Sequence, residues 1–242
     1  MPTTKKLELY SYDANPDGSV KISSLLKAFQ QIAREDLSSY GITYNMMRES
    51  DQVFVIIKAV IVFYKNISIY DEMFLTTIPT KINGITFFRD FFIKDKDNNL
   101  LVVCSTSWVL MNYVTRRILR PAEIIREVPS FPDESSDITF SRRFSFKDFP
   151  FSKRTNVRKV YYNNLDENNH FNNAETAAFA IDEVSDRLIG GESVKRFEIH
   201  FNHESKLNDE LTIVTEHREF SSYISAYNNT FNSSAFECKI DF

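Results

Sequence analysis

A carboxylate, an amide and an imidazole lie two residues apart at Asp166, Asn168 and His170, just ahead of a predicted helix. Asn172 or Asn173 would be the N-cap of that helix. Its first backbone N–H groups and the positive end of its dipole would then face the loop. Such a helix end can stabilise an oxyanion while the side chains orient water and move protons, which suits acyl transfer. The alternative is a capping loop, since Asp and Asn are common before helices.

The other residues capable of chemistry give weaker signals. His200 and His203 are three residues apart on one predicted strand, so they would point to opposite faces and could not share a metal ion. His217 is most simply a surface residue. The five glycines form neither a dinucleotide-binding turn nor a P-loop, and there is no G-x-S-x-G nucleophile elbow. Two distant cysteines, Cys104 and Cys238, exclude a zinc ribbon and a disulfide framework.

Composition predicts a cytoplasmic globular protein. The 242 residues carry a net charge of −4 and are 43% apolar, which argues against nucleic acid as the main partner. The N-terminus has no targeting pattern. The longest apolar run, Val53 to Tyr64, is interrupted by Lys58 and is too short for a membrane span. The low cysteine content fits a reducing compartment.

The elements that must position the loop fall into two similar series. The first series begins with a helix over Ser23–Tyr40 and continues with strands at Val53–Tyr64, Phe74–Ile78, Phe87–Lys94 and Leu100–Asn112, with a hairpin turn at Asn83-Gly84. After a proline-rich stretch, the second has a short strand at Lys159–Tyr162, a helix from Ala174 to Val184 and strands at Lys195–Phe201, Glu210–Glu216 and near Phe236–Ile240.

The two series also align as copies. Residues 63–77 repeat as 201–215 at an offset of 138, and residues 12–15 repeat as 165–168 at an offset of 153. A helix followed by an antiparallel sheet, twice over, predicts an α+β fold of two hotdog domains in tandem, each with its sheet wrapped around a central helix. The expected divisions are an N-terminal domain over 1–120, an ordered linker over 121–153 and a C-terminal domain over 154–242.

Four segments, taken in order, resemble the motifs of one family. Residues 165–173 resemble a D-L-D-x-N-x-H-V-N-N signature, and the hairpin over 83–91 resembles N-G-x-x-R-D-W. Residues 108–117 are similar to W-V-M-M-N-x-x-T-R-R, and residues 198–205 to E-Y-R-R-E-C. This is the pattern of the acyl-acyl carrier protein thioesterases, bacterial type, which end fatty-acid synthesis by hydrolysing acyl thioesters.

The resemblance implies that the first half shapes an acyl tunnel and that the second half is catalytic. The implied catalytic residues are Asp166, Asn168, His170 and Glu204. Glu204 would be the general base on water, directly or through His170, and Asn168 would position water or the thioester carbonyl. Asp166 would orient the loop, and backbone N–H groups near His170 would form an oxyanion hole. At the offset of 138, the counterpart of Glu204 is Asn66, so the halves differ where catalysis is assigned.

Two positions depart from the family pattern. Asn164 stands where the family has the first Asp of its D-L-D motif, so that only Asp166 of the pair remains. Ser205 stands where plant members have a cysteine. A serine cannot supply a thiolate, which favours carboxylate-assisted hydrolysis.

The resemblance also implies a partner, acyl carrier protein, and no metal, nucleotide or flavin cofactor. Residues 116–159 carry eleven basic and six acidic residues, either an ordinary solvated connector or a surface that would attract this acidic carrier. The expected docking residues are Arg116, Arg117, Arg142 and Arg143. The residues expected to shape the tunnel are Phe29, Ile32, Phe54, Ile56 and Trp108. Acyl chain length stays open, and so does oligomeric state, with a homodimer as one option.

Two other functions compete with hydrolysis. The segment from Asp13 to Gly18 looks like the D-x-N-P-x-H dyad of hotdog enoyl hydratases, but Gly18 stands in the place of the histidine. Without that imidazole the aspartate has no acid–base partner, and the segment is better interpreted as a turn. The second competitor is a non-catalytic acyl-binding protein, which an assay of thioester hydrolysis would distinguish.

Overall fold

The fold was analysed in a computed structural model that describes residues 2–124, 127–144 and 153–242. The chain divides into an N-terminal unit, Met1–Ile138, and a C-terminal unit, Thr139–Phe242. In the described residues, no helix has both the length and the apolar character needed to cross a bilayer.

The N-terminal unit is a long helix packed on an antiparallel sheet. Its strands follow the order β1-β3-β4-β5-β2. Its elements are β1 (Thr3–Leu7), α1 (Ile22–Ser39), α2 (Tyr44–Glu49), β2 (Gln52–Phe63), β3 (Met73–Asn83), β4 (Thr86–Asp95) and β5 (Leu100–Asn112).

A buried ion pair joins α1 to this sheet. Arg89 Nη1 donates to Asp36 Oδ2 at 2.7 Å and to Thr77 Oγ1 at 2.9 Å, and the Asp36 side chain is fully buried. Beside the pair, Phe29 of α1 stacks on Phe91 of β4 with ring centroids 4.8 Å apart. Burial of the two rings favours this packing, and loss of either partner of the buried ion pair would leave an uncompensated charge.

The C-terminal unit has the same plan, with strand order β7-β10-β9-β8-β6. The side chain of Asn172 caps its main helix by accepting the Ala174 N–H at 2.8 Å. Each unit therefore has the predicted hotdog plan of a helix followed by an antiparallel sheet. The elements are β6 (Lys153–Lys159), α3 (Asn173–Asp182), α4 (Ser185–Ile189), β7 (Arg196–Phe201), β8 (Glu210–His217), β9 (Ser221–Asn228) and β10 (Ser233–Asp241).

Four details of the sequence-based prediction were wrong. A strand was expected at Lys159–Tyr162, but β6 ends at Lys159 and a one-turn 3₁₀ helix, Tyr162–Asn164, follows. His203 lies beyond the end of β7 and not on it. The second predicted helix is two helices, α3 and α4. Strands β1 and β9 were not predicted, because β1 is a polar edge strand and β9 buries Ser222 and Asn228 on its inner face.

The hydrogen bonds confirm the duplication and correct one of its offsets. Asp71 Oδ2 accepts the Ser68 N–H, and Asp209 Oδ2 accepts the Lys206 N–H, both at 2.8 Å, which confirms the offset of 138. The segments before α1 and α3 align at 151 instead of 153. A one-turn 3₁₀ helix ends at Asp13 in the first segment and at Asn164 in the second, 151 residues later. Helices α1 and α3 begin at Ile22 and Asn173, which are also 151 residues apart.

The stretch predicted to be a linker, 121–153, contributes to both units. In the N-terminal unit, the Phe131 N–H donates to Pro79 O at 2.9 Å, and the Ser136 N–H donates to Asp90 Oδ2 at 2.6 Å. Residues 139–144 pack in the C-terminal unit. Residues 125–126 and 145–152 of the stretch lie outside the described residues.

Candidate active site

Asp166 folds the loop that carries the candidate histidine. Its Oδ1 accepts the backbone N–H groups of Asn168 at 2.8 Å and His170 at 3.1 Å. Its own N–H donates to His170 O at 2.8 Å, and Asn169 adopts a left-handed conformation with φ 60°. The aspartate therefore acts as an Asx-type cap inside the loop, and this carboxylate oxygen is occupied.

His170, on this loop, contacts Glu204, which follows β7. His170 Nε2 lies 3.2 Å from Glu204 Oε2, and their side chains are 23% and 29% exposed. The backbone supports the contact, because the N–H of Phe171 donates to Ser205 O at 2.8 Å. An imidazole and a carboxylate in contact and half-exposed can accept a proton from a bound water.

Asn168 lies on the same loop, two residues before His170, and is half-buried. Its backbone N–H donates to Asp166 Oδ1 at 2.8 Å. Asn164, the departure from the family pattern, has a structural task, since its Oδ1 accepts the Tyr161 N–H at 2.9 Å. Asp13 makes the same contact with Tyr10 in the N-terminal unit, so an amide can replace a carboxylate here.

Most backbone N–H groups near His170, where an oxyanion hole was expected, already donate within the unit, and the oxyanion hole stays a prediction. The N–H groups of Asn168 and His170 donate to Asp166 Oδ1, and that of Asn169 donates to the Asp166 carbonyl. The N–H groups of the next two residues, 171 and 172, donate to the carbonyls of Ser205 and Asn164. The Ala174 N–H is taken by the cap residue Asn172. The loop uses these donors for its own fold.

Ser205 is buried and its hydroxyl is directed into the protein. Only 3% of the residue is exposed, and its Oγ accepts a hydrogen bond from Asn228 Nδ2 at 3.1 Å. Asn228 Nδ2 also donates to Asp209 Oδ2 at 2.8 Å. Within the described residues, this amide is the hydrogen-bond partner of the hydroxyl, and an amide cannot act as the base that a serine nucleophile needs.

A second histidine–carboxylate pair, on β7, is buried and structural. His200 Nε2 lies 3.0 Å from Glu198 Oε1, and Phe144 stacks on the imidazole at 4.4 Å. The Ser141 N–H donates to the same oxygen at 2.6 Å, and Arg196 lies 3.0 Å from the other oxygen. Burial alone would raise the pKa of Glu198, but hydrogen bonds from His200, Arg196 and Ser141 outweigh it and lower the pKa to about 2.

This second pair attaches residues 139–144 to the sheet, and sequence reasoning missed it. Glu198 lies in one of the family-like segments, but nothing in the sequence indicated its contact with His200, two residues further along β7. The remaining histidines lie apart from it. His203 Nδ1 contacts Ser234 O at 3.0 Å, and His217 Nδ1 contacts Ser222 Oγ at 2.9 Å.

The five expected tunnel residues lie on the helix-facing side of the N-terminal sheet or on α1. Phe29, Ile32 and Ile56 are buried, and Phe54 and Trp108 are half-buried. Phe54 packs edge-on against Phe87 at 5.0 Å. Phe54 and Trp108 also contact one apolar cluster, which consists of Ile42, Met47, Phe87, Leu110, Leu119 and Val128.

The four expected docking arginines are exposed and divided between the units. Arg116 and Arg117 follow β5, and Arg117 Nη2 is paired with Glu123 Oε1 at 2.6 Å. Arg142 and Arg143 lie in the C-terminal unit, within the segment that Glu198 holds. Among the described residues, no group of three or more His, Cys, Asp or Glu side chains could hold a metal ion.

Comparison with known proteins gives matches along both units. Residues 2–128 match the family model for the acyl-ACP thioesterase N-terminal domain, and residues 150–241 match that for the C-terminal domain. A chloroplastic acyl-acyl carrier protein hydrolase of Cuphea viscosissima is 24% identical over 221 residues, 87% of this chain and 54% of the relative. A dodecanoyl-acyl carrier protein hydrolase of Cinnamomum camphora is 24% identical over 85% of this chain and 56% of its own length.

The chain thus spans about half the length of the curated relatives that it matches. Two solved structures share its fold over nearly the whole chain. The 12:0-ACP thioesterase of Umbellularia californica has a TM-score of 0.82 at 19% identity, covering 99% of this chain and 96% of the other. An acyl-ACP thioesterase of Bacteroides thetaiotaomicron has a TM-score of 0.79 at 18% identity, covering 100% and 97%. The predicted tandem hotdog fold is confirmed by these neighbours.

Proposed function

Because this chain belongs to the acyl-ACP thioesterase family, we propose that it hydrolyses fatty acyl thioesters of acyl carrier protein and releases a free fatty acid. The observation that carries the proposal is the half-exposed contact of His170 with Glu204 at 3.2 Å. The N-terminal unit has no such pair at the equivalent place, where Ser19 and Asn66 stand. The duplication therefore retains the chemistry in one unit only.

In the proposed mechanism Glu204 is the general base, acting on water directly or through His170. The water oxygen attacks the thioester carbon as its proton passes to the carboxylate, and the Asn168 side-chain amide donates to the carbonyl oxygen. The tetrahedral intermediate then breaks its C–S bond. The pantetheine sulfur takes the proton back from the Glu204–His170 pair, so that water is the only co-reactant.

Asp166 and Ser205 support this mechanism without touching the reacting atoms. The Asp166 carboxylate shapes the loop through the N–H groups of Asn168 and His170. Ser205 is buried against Asn228. The water-based route needs no covalent acyl-enzyme, which fits the absence of a suitably placed base beside this hydroxyl in the part of the chain that is described.

The acyl chain would be held by apolar side chains of the N-terminal unit, among them Phe54 and Trp108. The acidic carrier would be attracted by the exposed arginines 116, 117, 142 and 143. Charge of the opposite sign raises association rates more than it raises intrinsic affinity, so these residues would act mainly on kcat/KM.

The test is hydrolysis of matched thioesters by the purified protein. Acyl carrier protein and coenzyme A thioesters with the same acyl groups should both be offered over a range of chain lengths. We expect clear preference for the carrier-bound form. Equal kcat/KM on both would remove the carrier-specific part of the proposal, and tight acyl binding without turnover would favour a non-catalytic acyl-binding protein.

A further inference from the structure

Asn228, at the end of β9, is a wholly buried amide with all its hydrogen-bonding capacity used. Its Nδ2 donates to Ser205 Oγ at 3.1 Å and to Asp209 Oδ2 at 2.8 Å. Its Oδ1 accepts the N–H groups of Thr230 and Phe231 at 2.9 and 3.3 Å. A buried polar side chain satisfied on both sides has one well-defined position.

This amide fixes the loop that carries Glu204. Ser205 follows Glu204 directly, and Asp209 closes the same loop by accepting the Lys206 N–H at 2.8 Å. Ser205 is held at two points, since its hydroxyl contacts Asn228 and its carbonyl accepts the Phe171 N–H. Asn228, on another strand, therefore contacts this loop at two residues, the first of which directly follows Glu204.

The N-terminal unit shows which part of this arrangement ordinary folding requires. Asp95 ends β4 opposite Met73, as Asn228 ends β9 opposite Leu211. The Asp95 Oδ1 caps the following turn by accepting the N–H groups of Asp97 and Asn99. Turn capping thus accounts for Oδ1 at this position in both units, and an aspartate is sufficient for it.

Turn capping does not account for the hydrogen bonds that Asn228 Nδ2 donates, because the first unit has no equivalent of them. A carboxylate at 95 has no N–H to donate, and Ile67 stands where the second unit has Ser205. The amide and its hydroxyl partner occur together, and they occur in the unit that carries the histidine–glutamate pair. We propose that Asn228 is a positioning residue that holds Glu204 in reach of His170 and of the attacking water; this rests on the proposed function.

The first test measures kcat and KM on an acyl carrier protein thioester. In Asn228→Ala we expect kcat to fall about ten-fold with KM within about two-fold, because a support is lost and not a substrate contact. Asn229→Ala is the matched control. This exposed neighbour bonds Thr212 and not the Glu204 loop, so kcat should stay at the wild-type value.

A double-mutant cycle shows whether the effect passes through Glu204. In a Glu204→Gln background, Asn228→Ala should change the residual rate by less than about two-fold, because no base remains to be positioned. A loss as large as in the wild-type background would overturn the proposal. So would wild-type kcat in Asn228→Ala.

An isosteric variant separates the donor of Asn228 from its acceptor. Asn228→Asp keeps an oxygen that can cap the turn, but it removes the N–H groups that reach Ser205 and Asp209 and places a carboxylate against Asp209. We therefore expect kcat to fall at least as far in Asn228→Asp as in Asn228→Ala. Wild-type kcat in Asn228→Asp would overturn the proposal.

A measurement without turnover separates this inference from the proposed function. The ¹⁵N chemical shift of His170 Nε2 reports its contact with Glu204. It should move in Asn228→Ala towards its value in Glu204→Gln, and stay unchanged in Asn229→Ala. If the wild-type protein hydrolyses no thioester, the proposed function fails, while an unchanged shift in Asn228→Ala would refute the positioning role.

Discussion

Asp166 and Glu204 are both carboxylates of the candidate site, but their surroundings give them different tasks. Asp166 Oδ1 is occupied by two backbone N–H groups, so it serves the shape of the loop. Glu204 contacts an imidazole and solvent, so it can exchange a proton. Their residue types alone could not separate these tasks; the hydrogen bonds do.

Histidine 170 provides the simplest test of proton transfer. His170→Ala should lower kcat by about 10²-fold, the low end for general acid–base catalysis. His203→Ala is the matched control, because His203 is an exposed histidine of the same unit whose Nδ1 contacts the backbone carbonyl of Ser234. Steady-state kinetics on one acyl carrier protein thioester compare them. Equal losses in both variants would contradict the assignment.

Asp166 allows a test that separates shape from charge. In Asp166→Asn the amide oxygen can still accept the N–H groups of Asn168 and His170, whereas Asp166→Ala removes the acceptor. We therefore expect Asp166→Asn to retain at least about ten-fold more kcat than Asp166→Ala. If the two variants were equally inactive, the negative charge of Asp166 would be needed in the reaction itself.

At the scale of elements, the sequence predicts best where apolar periodicity is strong. Helix α1 and strands β2, β4 and β5 were found close to their observed bounds, because each buries an apolar face. Strand β9 was missed because small and polar residues such as Ser222 face inwards. The residues of the site were indicated by motif, but the contact of His170 with Glu204 joins positions 34 residues apart and required the fold.

Glu198 makes the attachment of residues 139–144 dependent on pH. Its folded pKa of about 2 lies below the ordinary value of 4.5, so its stabilising contribution is complete above the unfolded pKa and is lost as pH falls towards 2. That contribution is on the order of 3 kcal/mol at neutral pH.

Urea unfolding of Glu198→Gln measures this contribution. The free energy of unfolding should be lower than in the wild type at pH 7, and the difference should shrink as pH falls from 4.5. Glu219→Gln, a change at an exposed residue, serves as the control. Its free energy of unfolding should stay close to that of the wild type across the same pH range. A difference independent of pH would mean that shape, and not charge, holds the segment.

At the scale of the whole molecule, the duplication explains how one chain divides its tasks. Both units keep the same loop before the main helix and the same Asp-capped turn after the first long strand. They differ at positions 19 and 170 and at positions 66 and 204, where only the C-terminal unit has the imidazole and the carboxylate. The proposed reaction is therefore assigned to the C-terminal unit.

Carrier docking is tested by reversing charge at Arg142 and Arg143. The double change Arg142→Glu with Arg143→Glu should lower kcat/KM on the carrier thioester and weaken its salt dependence, while short pantetheine thioesters react as before. Lys27→Glu with Lys96→Glu, also exposed, makes the same change in net charge elsewhere. If both pairs had equal effects, net charge and not a docking surface would be responsible.

The central claim is that a water molecule, activated by the Glu204 carboxylate as general base, attacks the thioester, and that no side chain acts as the nucleophile. The most direct measurement is kcat of Glu204→Ala and Ser205→Ala on the same acyl carrier protein thioester. We predict a loss of at least about 10²-fold in Glu204→Ala and a rate within about three-fold of wild type in Ser205→Ala. The second change removes one of the contacts that hold the loop, while Asn228 keeps its hydrogen bond to Asp209. An inactive Ser205→Ala beside an active Glu204→Ala would contradict the account.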